Sequence, residues 1–113
     1  NEAKALGRTL LGFNEPDRCL SAWTCVVDLS EATIKANSRF FNSEDEVPRQ
    51  AITMGMASIL HARRLMLLAS GKSKARAIRE TLSGKVSTQV PASFLQLHPN
   101  AIIVMDKEAA SLL

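Results

Sequence analysis

Residues 64–81 contain a pattern that is typical of anion binding. The apolar run Leu65–Ala69 predicts a buried strand covered on both faces, Gly71 predicts a turn, and Ser73 is predicted to begin a helix. The start of a helix exposes unpaired N–H groups and the positive end of the helix dipole. A strand, a glycine turn and a helix in this order therefore predict a phosphate or carboxylate site at the carboxyl end of the strand.

Lys74 is the side chain that we expect to contact this anion. It shares one side of the predicted helix with Ala77 and Ile78, which should face the sheet, whereas Lys72 precedes the helix and is predicted to be solvated. Lysine binds a phosphate as a point charge. The basic residues of this region could instead form a solvated helix face, and the sequence leaves that alternative open.

Glu15 is the first candidate for acid–base chemistry. It lies in a Phe-Asn-Glu-Pro segment, where the proline disfavours a helix at Glu15 and predicts a turn. A carboxylate on a stiff turn suits an orienting or acid–base role. The alternative is an ordinary turn acid that faces water.

Arg39 is a second candidate for binding phosphate, because its planar guanidinium can donate two parallel hydrogen bonds to one phosphate. The alternative places the stem of Arg39 over Phe40 and the charged head in water.

The remaining chemically reactive side chains favour structural roles. His98 precedes a proline and is predicted to bond a backbone group. Ser73 has no catalytic partner near in sequence, so it is predicted to cap a helix or to donate to a phosphate rather than to act as a nucleophile. His61 is far from His98 in sequence, and the two cysteines have no metal-binding spacing, so no metal site is expected.

Strands that alternate with helices predict an α/β fold with a parallel sheet and flanking helices. About three strands are predicted, so the sheet should have exposed edges and belong to a larger one. Gly55, inside a predicted helix, indicates a possible close approach of another backbone. The predicted strands are Cys25–Leu29, Leu65–Ala69 and Ala101–Met105, and the predicted helices are Glu31–Arg39, Ala51–Ala62, Ser73–Leu82, Ala92–Leu97 and Lys107–Leu113, the last capped by Asp106.

Composition narrows the class of protein. A chain of 113 residues, 46% hydrophobic and 22% charged, is typical of one soluble domain. The net charge of +3 comes without a nucleic-acid-binding motif, and no apolar run is long enough to span a membrane. We therefore expect neither nucleic acid nor membrane as a partner. The two cysteines are expected to be reduced, which fits a cytoplasmic protein.

Five segments of the chain match one known family in the same order. They are Gly12–Pro16, Thr33–Phe41, Val47–Met56, Leu68–Ala75 and Pro91–Pro99. Several matching motifs in one order are far more specific than any single motif. From Leu11 to Leu113, almost without gaps, the sequence resembles the glucosamine-6-phosphate deaminase (glucosamine-6-phosphate isomerase) family.

The resemblance implies a Rossmann-like domain of which residues 11–113 are the C-terminal half. Family members convert glucosamine 6-phosphate and water to fructose 6-phosphate and ammonia, without a cofactor, and are often oligomers. By position, Arg39 and Lys74 match the residues that bind the phosphate of this hexosamine 6-phosphate. Glu15 matches the glutamate that orients the catalytic histidine for ring opening.

The sequence departs from the family at its beginning. Residues 1–10 form an unpatterned lead-in without the likeness, and Arg8 and Leu10 stand where the family has the aspartate and histidine of an Asp-Gly-His motif. The catalytic base, carried by the family's N-terminal half, is also missing. We therefore expect the chain to keep the phosphate site and to be inactive alone. The alternatives are a non-catalytic phosphosugar-binding or assembly module and an enzyme related to 6-phosphogluconolactonase. A homo-oligomer is expected under each of these interpretations.

Overall fold

The computed structural model describes residues 11–113, which form an α/β fold with four strands and three short α-helices. The predicted lead-in at residues 1–10, with Arg8 and Leu10, lies outside the described residues. In chain order the elements are β1 (Cys25–Asp28), α1 (Glu31–Asn37), β2 (Gln50–Thr53), α2 (Met56–Leu60), β3 (Leu65–Ala69), α3 (Ala75–Thr81) and β4 (Ala101–Met105). Short 3-10 segments lie at Ser38–Phe40, Glu44–Glu46, Lys72–Lys74 and Pro91–Leu97.

Strands β3 and β4 form the parallel sheet that the sequence predicts. They pair in register from Leu65 opposite Ala101 to Ala69 opposite Met105. Helix α3 and the segment Pro91–Leu97 make the crossover between the two strands and pack against each other. This crossover places the carboxyl ends of both strands at the same edge of the sheet.

Strands β1 and β2 form a second sheet, which is antiparallel and pairs Cys25 with Thr53 and Asp28 with Gln50. The predicted helix Ala51–Ala62 is therefore wrong in its first part. Its apolar spacing fits a helix, but hydrogen bonds to β1 hold these residues extended, and only Met56–Leu60 is helical.

Gly55 marks the close backbone approach that its position indicated. A Cβ atom at Gly55 would lie 2.3 Å from backbone atoms of Ala22 and Trp23. The same approach caps α2, because Met56 N–H donates to Ser21 O and Ala57 N–H donates to Ala22 O, both at 2.8 Å. The carbonyl groups of Ser21 and Ala22 therefore accept hydrogen bonds from the first two N–H groups of α2, which has no side-chain cap.

The predicted helix ends differ from the structure by a few residues. The helix predicted at Glu31–Arg39 becomes α1 followed by the 3-10 segment Ser38–Phe40, and the helix predicted from Ser73 begins as 3-10 before α3. Residues 107–112 form turns rather than a regular helix, although the Asp106 carboxylate accepts a hydrogen bond from Ala109 N–H at 2.8 Å.

The core of residues 11–113 lies between the helices and one face of each strand. Exposure alternates along β3 and β4, so the described residues cover only one face of this sheet. The apolar run had predicted that both faces of the strand would be covered. The uncovered side is a contiguous apolar surface, called here the open sheet face, formed by Met66, Leu68, Ile102 and Val104. The buried apolar residues are Ile34, Val47, Met56, Ala75, Ala77, Ile78, Ala92, Leu95 and Ala109.

Candidate active site

The turn after β3 has the backbone conformation that the predicted anion site needs. Gly71 has φ of 90° and ψ of 154°, a region that side chains with a Cβ rarely adopt. Its N–H donates to both carboxylate oxygens of Asp106, at 3.0 and 3.2 Å, and Asp106 N–H donates to Ala69 O at 3.3 Å. Asp106 therefore fixes the turn from the end of β4.

Asp106 is a site residue that sequence reasoning assigned only to capping. The parallel register places Met105 opposite Ala69, so the next residue of β4 lies beside the turn that follows β3. An acidic residue directly after a buried strand was the available signal, but its target could be found only once the register was known.

Lys74 occupies the end of the 3-10 segment Lys72–Lys74, and its N–H donates to Gly71 O at 3.1 Å. Lys74 is half-buried, whereas Lys72 is exposed. This difference matches the prediction that Lys74 faces the protein and that Lys72 is solvated. A cavity of about 420 Å³ lies at the same sheet edge, lined by residues 68–70 and 104–106.

Arg39 lies on the surface, in the 3-10 segment that follows α1. Its guanidinium carbon is 4.3 Å from the centre of the Phe40 ring, and Nη1 donates to Ala36 O at 3.4 Å. The contact with Phe40 is the one that the alternative interpretation predicted. Stacking on a ring also presents the planar face and edge of the guanidinium in a defined direction, which suits bidentate contact with a phosphate.

Glu15 is held by the start of α1 and is not a turn acid that faces water. Its Oε2 accepts from Ser30 N–H at 3.0 Å, and its Oε1 accepts from Ser30 Oγ at 2.8 Å and from Thr33 Oγ1. Glu15 also lines a cavity of about 310 Å³, together with Asp17 and Asp28.

The turn that carries Glu15 is anchored to β2 and the residue that follows it. Asn14 is 4% exposed, and its Nδ2 donates to Leu11 O at 3.0 Å and to Met54 O at 2.8 Å. Phe13 N–H donates to Thr53 Oγ1 at 3.1 Å. These long-range bonds set the direction in which Glu15 leaves the turn.

The three predicted site residues lie on two structural units. Glu15 contacts the first turn of α1, and Arg39 follows its last turn. The seven residues of this helix span about 10 Å. Lys74 belongs to the separate unit formed by β3, Gly71 and α3. Helix α1 thus joins the acid–base candidate to one phosphate-binding candidate.

His98 has the structural role that the sequence predicts. Its Nδ1 accepts from Asn100 N–H at 2.9 Å, so Nε2 carries the proton and donates to Ala62 O at 2.6 Å. His61 is exposed. Within residues 11–113, no three His, Cys, Asp or Glu side chains are grouped to hold a metal ion, and no helix is long and apolar enough to cross a membrane.

Known proteins are similar to this chain in both sequence and fold. The family model for glucosamine-6-phosphate isomerases/6-phosphogluconolactonase matches residues 29–104. The glucosamine-6-phosphate deaminase of Halothermothrix orenii is 66% identical over 103 residues, which are 91% of this chain and 43% of that protein. The corresponding deaminase of Thermoanaerobacter pseudethanolicus is 58% identical over 91% of this chain and 41% of its own length.

A solved structure described as a monomeric glucosamine-6-phosphate deaminase superposes with a TM-score of 0.82 and 50% sequence identity, covering 89% of this chain and 42% of its own. The chain therefore spans about two fifths of the length of the relatives it matches. With a family model that matches most of its residues, the chain belongs to the glucosamine-6-phosphate isomerase/6-phosphogluconolactonase family.

Proposed function

We propose that this chain forms the phosphate-binding part of a glucosamine-6-phosphate deaminase. In the complete enzyme, glucosamine 6-phosphate and water would become fructose 6-phosphate and ammonia. The observation that carries the proposal is the 66% identity, over 91% of the chain, to a protein named as such a deaminase. We place the chain in the C-terminal half of the domain, with residues 11–113 as its family portion.

Arg39 and Lys74 would bind the phosphate of the sugar from two sides. Arg39 would supply two parallel N–H donors, and Lys74 would supply a point charge from its half-buried position beside the Gly71 turn. The cavity at the edge of β3 and β4 lies where α/β proteins bind ligands, outside the carboxyl ends of the strands. The sugar would extend from the phosphate along this edge.

Glu15 would accept a hydrogen bond from the imidazole that opens the sugar ring and hold that imidazole in place. By the resemblance, Leu10 stands where family members have this histidine, so we propose that another polypeptide segment supplies the acid–base groups. Isomerisation and deamination by proton transfer need no cofactor, and none is proposed. General acid–base groups contribute about 10² to 10⁴ in rate each, so the chain alone should be inactive.

A second candidate is a non-catalytic phosphosugar-binding or assembly module. It is favoured by the resemblance, which aligns Arg8 and Leu10 with the aspartate and histidine of the family's Asp-Gly-His motif. An activity related to 6-phosphogluconolactonase is the third candidate, because the family model includes such enzymes. The high identity to proteins named deaminases favours the first proposal over the third.

We also propose self-association and a cytoplasmic location. The related solved structure is described as monomeric, so self-association of this chain rests on its open sheet face rather than on that relative. The cytoplasmic proposal rests on Cys19 and Cys25, both of which are free thiols.

The deciding experiment compares two proteins in an assay of ammonia release from glucosamine 6-phosphate. One is this chain, and the other is a chimera in which the chain's matching segment replaces the 103 corresponding residues of the Halothermothrix orenii deaminase. We expect turnover from the chimera and none from the chain. Turnover by the chain alone would refute its dependence on further residues, and an inactive but folded chimera would refute the deaminase assignment.

Calorimetry separates the binding module from the enzyme fragment. A module that binds phosphosugar by itself should give heat with glucosamine 6-phosphate and none with glucosamine, and Arg39→Ala should abolish the signal. The exposed Lys72→Ala variant is the matched control for loss of one positive charge. Absence of heat at millimolar ligand would rule out the module.

A further inference from the structure

The start of α1 contains a capping arrangement whose acidic member comes from a distant part of the chain. Ser30 is the N-cap, and its Oγ accepts from Thr33 N–H at 3.2 Å. In a capping box, a Glu or Gln at the position of Thr33 would accept from the N–H of the N-cap. Here Glu15 takes that part, because its Oε2 accepts from Ser30 N–H at 3.0 Å across fifteen residues of sequence.

The two hydroxyl groups of this arrangement both point to Glu15. Ser30 Oγ donates to Oε1 at 2.8 Å, and Thr33 Oγ1 donates to the same oxygen. The two hydroxyl oxygens lie 3.1 Å apart, but each hydroxyl has a single proton, which it donates to the carboxylate. The two hydroxyls are therefore neighbours and do not donate to each other. Thr33 is 2% exposed, and a buried hydroxyl without an acceptor would cost about 1–3 kcal/mol.

The hydrogen bonds leave Glu15 with one defined acceptor position. A carboxylate oxygen has two lone-pair sites. Among residues 11–113, the hydroxyls use both sites of Oε1, whereas Oε2 receives one hydrogen bond, from the N–H of Ser30. The remaining site is on Oε2, and Glu15 borders the cavity of about 310 Å³.

We propose that Ser30 and Thr33 are positioning residues, which fix the Glu15 carboxylate so that Oε2 receives the N–H of the catalytic group in the assembled deaminase. The inference rests on the proposed function for the catalytic consequence, but the orientation of Glu15 follows from the hydrogen bonds alone. The same bonds join Glu15 to the helix that leads to Arg39.

Three variants separate positioning from capping. Thr33→Val removes a hydroxyl from a side chain of nearly the same shape, and Thr33→Ser returns the hydroxyl. Ser30→Gly removes the hydroxyl that donates to Glu15, places no new charge beside the carboxylate, and leaves a residue that N-cap positions tolerate well. Thr81→Val in α3 is the matched control, because Thr81 is equally buried at 2% exposure and belongs to a different helix.

Two measurements test the proposal. The first is the ¹³C resonance of the Glu15 carboxyl in the full chain, assigned by its loss in Glu15→Gln. We expect Thr33→Val and Ser30→Gly to move this resonance, Thr33→Ser to restore it, and Thr81→Val to leave it in place. An unmoved resonance in Thr33→Val would overturn the positioning role whether or not the chain is part of a deaminase.

The second measurement is the steady-state kinetics of the chimera. A misplaced Glu15 should lower kcat about 10- to 100-fold. KM should stay within about twofold, because Arg39 and Lys74 are expected to supply most of the ground-state binding through the phosphate. Equal loss in Thr33→Val and Thr81→Val would overturn the proposal. A moved resonance combined with full activity in Glu15→Gln would instead refute the proposed function and leave the orientation of Glu15 established.

Discussion

Gly55 and Gly71 exclude other residues for different physical reasons. Gly71 has φ of 90°, and a Cβ there would meet no atom within 4 Å, so only the backbone conformation demands glycine. Gly55 has an ordinary φ of −74°, but its Cβ would overlap the backbone of Ala22 and Trp23. The sequence could indicate that both glycines mattered, whereas the contact partner of Gly55 required the structure.

Replacement of these glycines by alanine tests this distinction. Gly71→Ala should lower the free energy of unfolding by about 1–3 kcal/mol, which is the cost of holding a residue with a Cβ at positive φ and extended ψ. Gly55→Ala should cost more, about 3 kcal/mol or above, because the overlapping atoms are backbone and cannot rotate away. Urea unfolding of both variants measures the difference. A larger loss for Gly71→Ala would contradict the account.

Element pairing explains which parts of the fold the sequence predicts. Strands Leu65–Ala69 and Ala101–Met105 were predicted at the bounds that the structure has, because short apolar runs bounded by turn residues identify them. Gln50–Thr53 was missed, because Ile52 and Met56 also fit a helical period and the pairing with β1 is a long-range contact. Local patterns do not contain such contacts.

Asp106 links two elements, and its removal should loosen both. Asp106→Ala removes the acceptor for Gly71 N–H and for Ala109 N–H. We expect a loss of about 1–2 kcal/mol in unfolding free energy and faster amide hydrogen exchange at Gly71. Asp106→Asn keeps one acceptor oxygen and should lose less. Unchanged exchange at Gly71 in Asp106→Ala would show that the turn does not depend on this carboxylate.

At the scale of the whole molecule, the described residues leave large apolar surfaces uncovered. Met66 and Leu68 are 64% and 67% exposed, and they adjoin Ile102 and Val104 on the same face of the sheet. On the antiparallel sheet, Val26 and Ile52 form a second exposed apolar pair. A parallel sheet is normally covered on both faces, which agrees with a chain that spans about two fifths of its relatives' length.

The open sheet face should make the isolated chain self-associate. We expect analytical ultracentrifugation at micromolar concentration to show species heavier than the 12.3 kDa chain. The double variant Leu68→Lys, Val104→Lys should reduce these species, because it places charge on the uncovered face. Val86→Lys is the control, since Val86 is an exposed apolar residue outside both sheets. If the control reduced the heavier species as much as the double variant does, the open sheet face would not be the cause of self-association.

The assignment of Arg39 and Lys74 to the phosphate of glucosamine 6-phosphate is the central claim, and the kcat/KM of the chimera for that substrate tests it most directly. Each charged hydrogen bond to phosphate is worth about 1.5–3 kcal/mol, so Arg39→Ala and Lys74→Ala should each lower kcat/KM about 10- to 100-fold. The control Lys72→Ala, at an exposed lysine two residues from Lys74, should stay within about twofold. A kcat/KM within twofold of the unmodified chimera in both Arg39→Ala and Lys74→Ala would contradict the account.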